Sequence, residues 1–130
     1  MIYLDGTALV KIAVAAPETG ALLAFLEPHT ERVTSALART EVLRAIRRSG
    51  AAARTEERAR AMFDRLALIK VDAMVLAAAA DLEPLDLHLL DAIHLATAAS
   101  LPGLAAFVTY DARLARLARR QSLTVEAPGS

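Results

Sequence analysis

Four carboxylates carry the chemistry this sequence can offer. Asp5 ends the apolar run Met1 to Leu4 and is followed by Gly6 and a helical pattern from Thr7. Glu41 lies in the opening turns of an amphipathic stretch, Asp91 in the first turn of a nearly all-apolar one, and Asp111 at the end of the run Ala105 to Tyr110. Each position, taken alone, is one where an acid caps a helix by accepting its free N–H groups. Capping does not account for four acids placed by the same rule. In an open α/β sheet, ligands bind at the rim formed by the carboxyl ends of the strands. Carboxylates brought within about 4 Å there repel by roughly 1 to 4 kcal/mol per pair, at effective dielectrics between bulk water and a protein surface. A divalent cation relieves that repulsion. With no cysteine and only scattered histidines, an oxygen-only donor set favours Mg²⁺ or Mn²⁺ over Zn²⁺.

The elements that must position these acids read as an alternation of strands and helices. Strands are expected at residues 1–4, 32–35, 68–71, 105–110 and 124–126, from apolar or β-branched runs. Helices are expected from Thr7, over 18–27 between Pro17 and Pro28, over 37–49 with Gly50 as terminator, and over 51–66. Three more follow: one capped by Asp72 and stopped near Leu82 by Pro84, one from Leu87 to Ala99, and one from Ala112 to Gln121. That order predicts a central, mainly parallel sheet flanked by helices.

At 130 residues, with 55% hydrophobic content, the chain suits one domain over residues 1–126, leaving 127–130 as a loose, flexible tail. It begins without the basic and apolar segments of a signal peptide and has no stretch near 18 apolar residues, so a cytoplasmic protein without a membrane span is expected. The formal net charge is zero, which argues against indiscriminate nucleic-acid binding through bulk charge. Thirteen of the fifteen basic residues are Arg, the side chain suited to bidentate contact with phosphate or carboxylate. Arg44, Arg47 and Arg48 share a side of the Glu41 helix, and Arg113, Arg116 and Arg120 share a side of the helix after Asp111. Arg44 stands three residues from Glu41, close enough in sequence to pair with it. His29, His88 and His94 lack zinc-helix spacing, and His94 reads as a packed or hydrogen-bonded residue rather than a catalytic base.

The strand ending in Asp5 with Thr7 two residues on, then Arg39-Thr40-Glu41, then Leu90-Asp91-Ala92-Ile93-His94-Leu95-Ala96-Thr97-Ala98, then Val108-Thr109-Tyr110-Asp111, together resemble a PIN domain. More narrowly they resemble the VapC toxins of bacterial toxin–antitoxin pairs. The resemblance implies a three-layer α/β/α fold and a Mg²⁺-dependent endoribonuclease acting on structured RNA, of the tRNA or rRNA class. It implies Asp5 and Asp91 as principal metal ligands, Glu41 and Asp111 completing the cluster directly or through water, and Thr7 orienting the site in place of the family's usual Ser. Gly6 stands where the family usually has a hydroxyl or small residue. A cognate VapB-type antitoxin and a homodimer are also implied, the apolar helices 18–27 and 51–66 offering a surface. Arg44, Arg113 and Arg116 are the expected contacts to RNA phosphates or to antitoxin acids; with aromatics at 4%, RNA shape and backbone should dominate over base stacking. Two rival readings are a PIN-like module kept for partner binding without catalysis, and a phosphatase of the haloacid-dehalogenase type. The second rests on Leu4-Asp5-Gly6-Thr7 but has Tyr3 where the nucleophilic Asp belongs.

Overall fold

The computed structural model describes residues 1–130. Strands β1 (Ile2–Leu4), β2 (Arg32–Ser35), β3 (Ala67–Ile69), β4 (Ala106–Val108) and β5 (Val125–Glu126) form one sheet in the order β3-β2-β1-β4-β5. Every pairing is parallel, with Tyr3 opposite Val33 and Phe107, and Leu4 opposite Val108. Such strands are covered on both faces and so read as continuous apolar runs. The helices are α1 (Gly6–Ala13), α2 (Thr19–Leu26), α3 (Leu37–Arg48), α4 (Ala53–Phe63), α5 (Ala73–Ala80), α6 (Leu89–Ala99) and α7 (Ala112–Arg120).

The twofold alternation of strand side chains divides the core. Ile2, Leu4, Ala106 and Val108 point to one face, where they pack with Leu9, Leu22, Leu26, Val42, Ile46 and Phe63 of α1 to α4. Tyr3, Val33 and Phe107 point to the other, against Leu95 and Ala98 of α6 and Leu114, Leu117 and Ala118 of α7. Helix α5 packs on α6 through Val75, Ala79, Ala92, Ile93 and Ala96. The result is the three-layer α/β/α arrangement expected from the sequence.

Boundaries differ in small ways. Strand β2 spans the expected residues, whereas β3 begins one residue earlier and β4 stops at Val108, before Thr109 and Tyr110. Gly50 closes α3 with φ +73°, and Asp72 caps α5 by accepting from Val75 N at 2.8 Å. The last four residues, read from sequence as a loose tail, lie beside α2: Tyr110 Oη donates to Pro128 O at 2.8 Å, and a Cβ on Gly129 would fall 2.9 Å from Ala21 Cβ. No helix is long and apolar enough to cross a membrane.

The strand order positions the site. From β1 the chain builds outward through β2 and β3, then returns to place β4 on the opposite side of β1. The carboxyl ends of β1 and β4 therefore flank the topological switch point, where an open α/β sheet leaves a crevice.

Candidate active site

Asp5 follows β1 directly, and its N–H still donates to Val108 O at 3.2 Å, so β1 and β4 are tied together up to the edge of the crevice. Its side chain is 1% exposed and takes three hydrogen bonds. Thr7 Oγ1 and Ala8 N donate to Oδ1 at 2.6 and 2.9 Å, and Thr109 Oγ1 donates to Oδ2 at 2.5 Å. Burial raises the Asp5 pKa, and hydrogen bonds from Thr109, Thr7 and Ala8 oppose that rise. The two hydroxyls are themselves held, because Tyr110 N donates to Thr7 Oγ1 at 2.9 Å and Asp111 N to Thr109 Oγ1 at 3.1 Å. Thr7 and Thr109 thereby join the end of β1 to the turn that follows β4.

Asp111 caps α7, its Oδ1 accepting from Arg113 N at 2.8 Å and Leu114 N at 3.1 Å. Its second oxygen accepts no protein hydrogen bond. Asp91, in the first turn of α6, is half-buried yet takes part in no hydrogen bond or ion pair; the free N–H groups of that turn do not hold it. Burial raises its pKa, the charge of Asp111 raises it further, and Asp5 and Glu41 add to the effect against an opposing contribution from His94. Asp91 and Asp111 line one cavity of about 60 Å³.

Glu41 lies one turn into α3, and its partner is not Arg44. His94 Nε2 stands 2.9 Å from Glu41 Oε1, and His94 Nδ1 stands 2.7 Å from Tyr3 Oη. His94 is 2% exposed, so it is the packed and hydrogen-bonded histidine its helical position suggests. The Arg44–Glu41 pair that the spacing allows does not form: α6 brings an imidazole to the carboxylate, and Arg44 is exposed. Glu41 lines a groove of about 540 Å³ with Gly6, Thr7, Lys11, Leu90 and Tyr110.

The three predicted arginines surround the acids without pairing to them. Arg113 is exposed and donates to Asp86 Oδ1 at 2.7 Å, Arg44 borders a cavity of about 180 Å³ beside Glu41, and Arg116 borders one of about 290 Å³ beside Asp111. Tyr3 is buried in the core at the position a phosphatase nucleophile would need, which removes the haloacid-dehalogenase reading. The acids occupy one rim, but no three acidic or imidazole side chains stand together in a metal-holding group.

A PIN domain family model matches residues 2–120, a span that contains all four acids. Ribonuclease VapC46 of Mycobacterium tuberculosis is 45% identical over 128 residues, which cover 98% of this chain and 97% of that one. Ribonuclease VapC47 of the same species is 38% identical over 135 residues, covering 100% and 98%. The chain belongs to the PIN domain family, among the VapC ribonucleases. Solved PIN-like structures share its fold. The crystal structure of Mycobacterium tuberculosis VapC20, described as a sarcin-ricin loop cleaving toxin, superposes with TM-score 0.74 at 14% identity, over 89% of this chain and 94% of that one. VapBC2 from Rickettsia felis, bound to a DNA fragment from its promoter, gives TM-score 0.62 at 18% identity, over 98% and 99%.

Within this PIN domain, sequence reasoning missed Thr109 and the Tyr3–His94 pair. Thr109 had a usable signal, a hydroxyl at the end of an apolar strand two residues before an acid. Tyr3 had none, since an aromatic residue in a first strand is ordinary core.

Proposed function

We propose that this VapC-type PIN domain is an endoribonuclease toxin that hydrolyses RNA phosphodiesters with Mg²⁺ or Mn²⁺ as cofactor. The observation that carries the reading is Asp91, a half-buried carboxylate without a protein partner whose pKa is raised by burial and by the other acids of the rim. Burying such a charge is unfavourable unless something compensates it, and a divalent cation does. Asp5 and Asp91 are the principal ligands: Asp5 keeps free lone pairs after its three hydrogen bonds, and Asp91 keeps all of its own. Glu41 and Asp111 complete the cluster directly or through water, in keeping with Mg²⁺, which is usually held by one or two carboxylates and retains several waters.

When bound, the cation supplies positive charge to the phosphodiester and makes water a competent nucleophile at neutral pH. The protein's own part is orientation. Thr7 and Thr109 fix both oxygens of Asp5, and the α7 cap fixes one oxygen of Asp111, leaving the other free. No side chain of the rim needs to attack phosphorus.

The substrate is a structured RNA of the tRNA or rRNA class, its phosphates met by Arg44, Arg113 and Arg116 around the acids. The same arginines suit acidic residues of a VapB-type antitoxin that blocks the site. A homodimer in the cytoplasm completes the proposal. Helices α2 and α4 and the turn after α4 line a mainly apolar groove of about 340 Å³ with Leu23, Leu26, Met62 and Leu66, and light scattering that gives a monomer at high concentration would remove the dimer.

The test is cleavage of total bacterial RNA by the purified protein with Mg²⁺ or Mn²⁺, beside EDTA and Asp91→Asn controls. Discrete fragments that disappear in both controls are expected. Absence of fragments together with no metal-induced rise in Tm would favour a PIN-like module that binds a partner without cutting.

A further inference from the structure

Glu41 differs from the other acids of the rim, because it neither ends a strand nor opens a helix. Its carboxylate reaches the site only along its own flexible side chain, so something else must aim it.

The first device is a space. A Cβ on Gly6 would lie 2.5 Å from Glu41 Oε1, 2.7 Å from Cδ and 2.8 Å from Oε2. The carboxylate thus occupies the volume that any other side chain at position 6 would fill. Gly6 is not among the glycines with positive φ and sits in the first turn of α1. Its backbone does not require glycine; a side chain there would instead move the Glu41 carboxylate from its present seat.

The second device is a hydrogen-bonded chain. Ser35 N donates to Tyr3 Oη at 3.1 Å, and that oxygen stands 2.7 Å from His94 Nδ1. We assign the ring hydrogen to Nε2, because its neighbour at 2.9 Å is a carboxylate oxygen of Glu41 that can only accept, which leaves Nδ1 to accept from the phenol. The anchor of this chain is rigid. Tyr3 is buried in β1 and stacked on Phe107 with ring centroids 5.2 Å apart.

We propose that Gly6, His94 and Tyr3 are positioning residues for Glu41: the glycine leaves a seat for the carboxylate, and the Tyr3–His94 chain holds it there toward the metal site. The inference rests on the metal-dependent reading above. Groups that orient a ligating or nearby side chain typically change metal affinity by about 10- to 100-fold when removed.

The experiment is calorimetric titration of the metal-free protein with Mn²⁺, in the absence of RNA. Wild type binds and Asp91→Asn does not. Glu41→Gln, Gly6→Ala, Tyr3→Phe and His94→Leu each weaken binding by about tenfold, and His94→Gln, which keeps a donor near the carboxylate, recovers much of the loss. Because alanine favours a helix over glycine, Gly6→Ala should leave Tm unchanged or higher, separating a displaced carboxylate from a damaged fold. The double variant Gly6→Ala/Glu41→Gln binds no more weakly than Glu41→Gln alone. Wild-type affinity in Gly6→Ala and Tyr3→Phe, or losses that multiply in the double variant, would overturn the inference while leaving the Asp91 result intact. Failure of wild type to bind Mn²⁺ would overturn both readings. Should His94→Leu not fold, Gly6→Ala and Tyr3→Phe still decide, since neither empties the core.

Discussion

Asp5 and Asp91 are the same side chain on the same rim, one ending a strand and the other opening a helix. Asp5 is buried and takes three hydrogen bonds that also join β1 to the turn after β4. Asp91 is half-buried and takes none, and the charges around it include Asp111, Asp5 and Glu41. The difference separates an acid held by the frame from one that the frame leaves free. Asp5 is part of the frame, its orientation set by protein donors, whereas Asp91 has no protein partner and, on the reading proposed above, is the acid left for the cation.

The sharpest way to break that comparison is truncation. Asp5→Ala leaves Thr7, Thr109 and the Ala8 N–H without their acceptor and should destabilise the metal-free protein by about 3 kcal/mol. Asp91→Ala should stay within about 0.5 kcal/mol of wild type. Urea denaturation of both variants in EDTA measures the contrast, and equal losses would erase it.

Metal should act in the opposite sense. Mn²⁺ at about 100 times its Kd should stabilise wild type by about 2.7 kcal/mol and leave Asp91→Asn unchanged in a calorimetric melt. A stabilised Asp91→Asn would mean that the cation sits elsewhere.

A smaller effect is expected at Thr109, whose hydroxyl donates to Asp5 and accepts from Asp111 N. Thr109→Val keeps the shape and should cost about 1 to 2 kcal/mol, with a loss of RNA cleavage because two acids lose their alignment. Unchanged stability and cleavage would show that Thr7 and Ala8 suffice to hold Asp5.

The smallest effect is the pH dependence of Asp91. Its folded pKa is raised from 3.8 by burial first and by Asp111 second, so the folded state holds that proton more tightly than the unfolded chain. The metal-free protein therefore loses stability as pH rises through that interval, and the penalty is fully present once both states are ionised. Asp91→Asn should raise Tm near neutral pH and have little effect on it below the ordinary carboxylate range. A constant offset at all pH values would show that ionisation is not its cause.

Much of this was legible in the residues themselves. The strand Arg32–Ser35, the caps Asp5, Asp72 and Asp111, and the terminator Gly50 follow from local rules of burial, N–H satisfaction and left-handed backbone, which act within a few residues. The ends of β3 and β4 were less legible, because strands covered on both faces show no alternation to mark where pairing stops. The partner of Glu41 was not legible, since helical spacing offers Arg44 as a neighbour along one helix and says nothing of α6. His94 lies 53 residues from Glu41 and 91 from Tyr3. No local pattern spans such separations.

By itself, then, the sequence determined the alternation of strands and helices, the acids at their junctions and the family to which these motifs belong. Each depends on side-chain type and short-range spacing. Tertiary structure alone decided which acids are held and which are free. It set three donors on Asp5 and none on Asp91, and it placed the Glu41 carboxylate over Gly6 against His94. Those outcomes depend on the strand order that puts β4 beside β1 and on the packing of α6 across the sheet, which bring together groups a hundred residues apart.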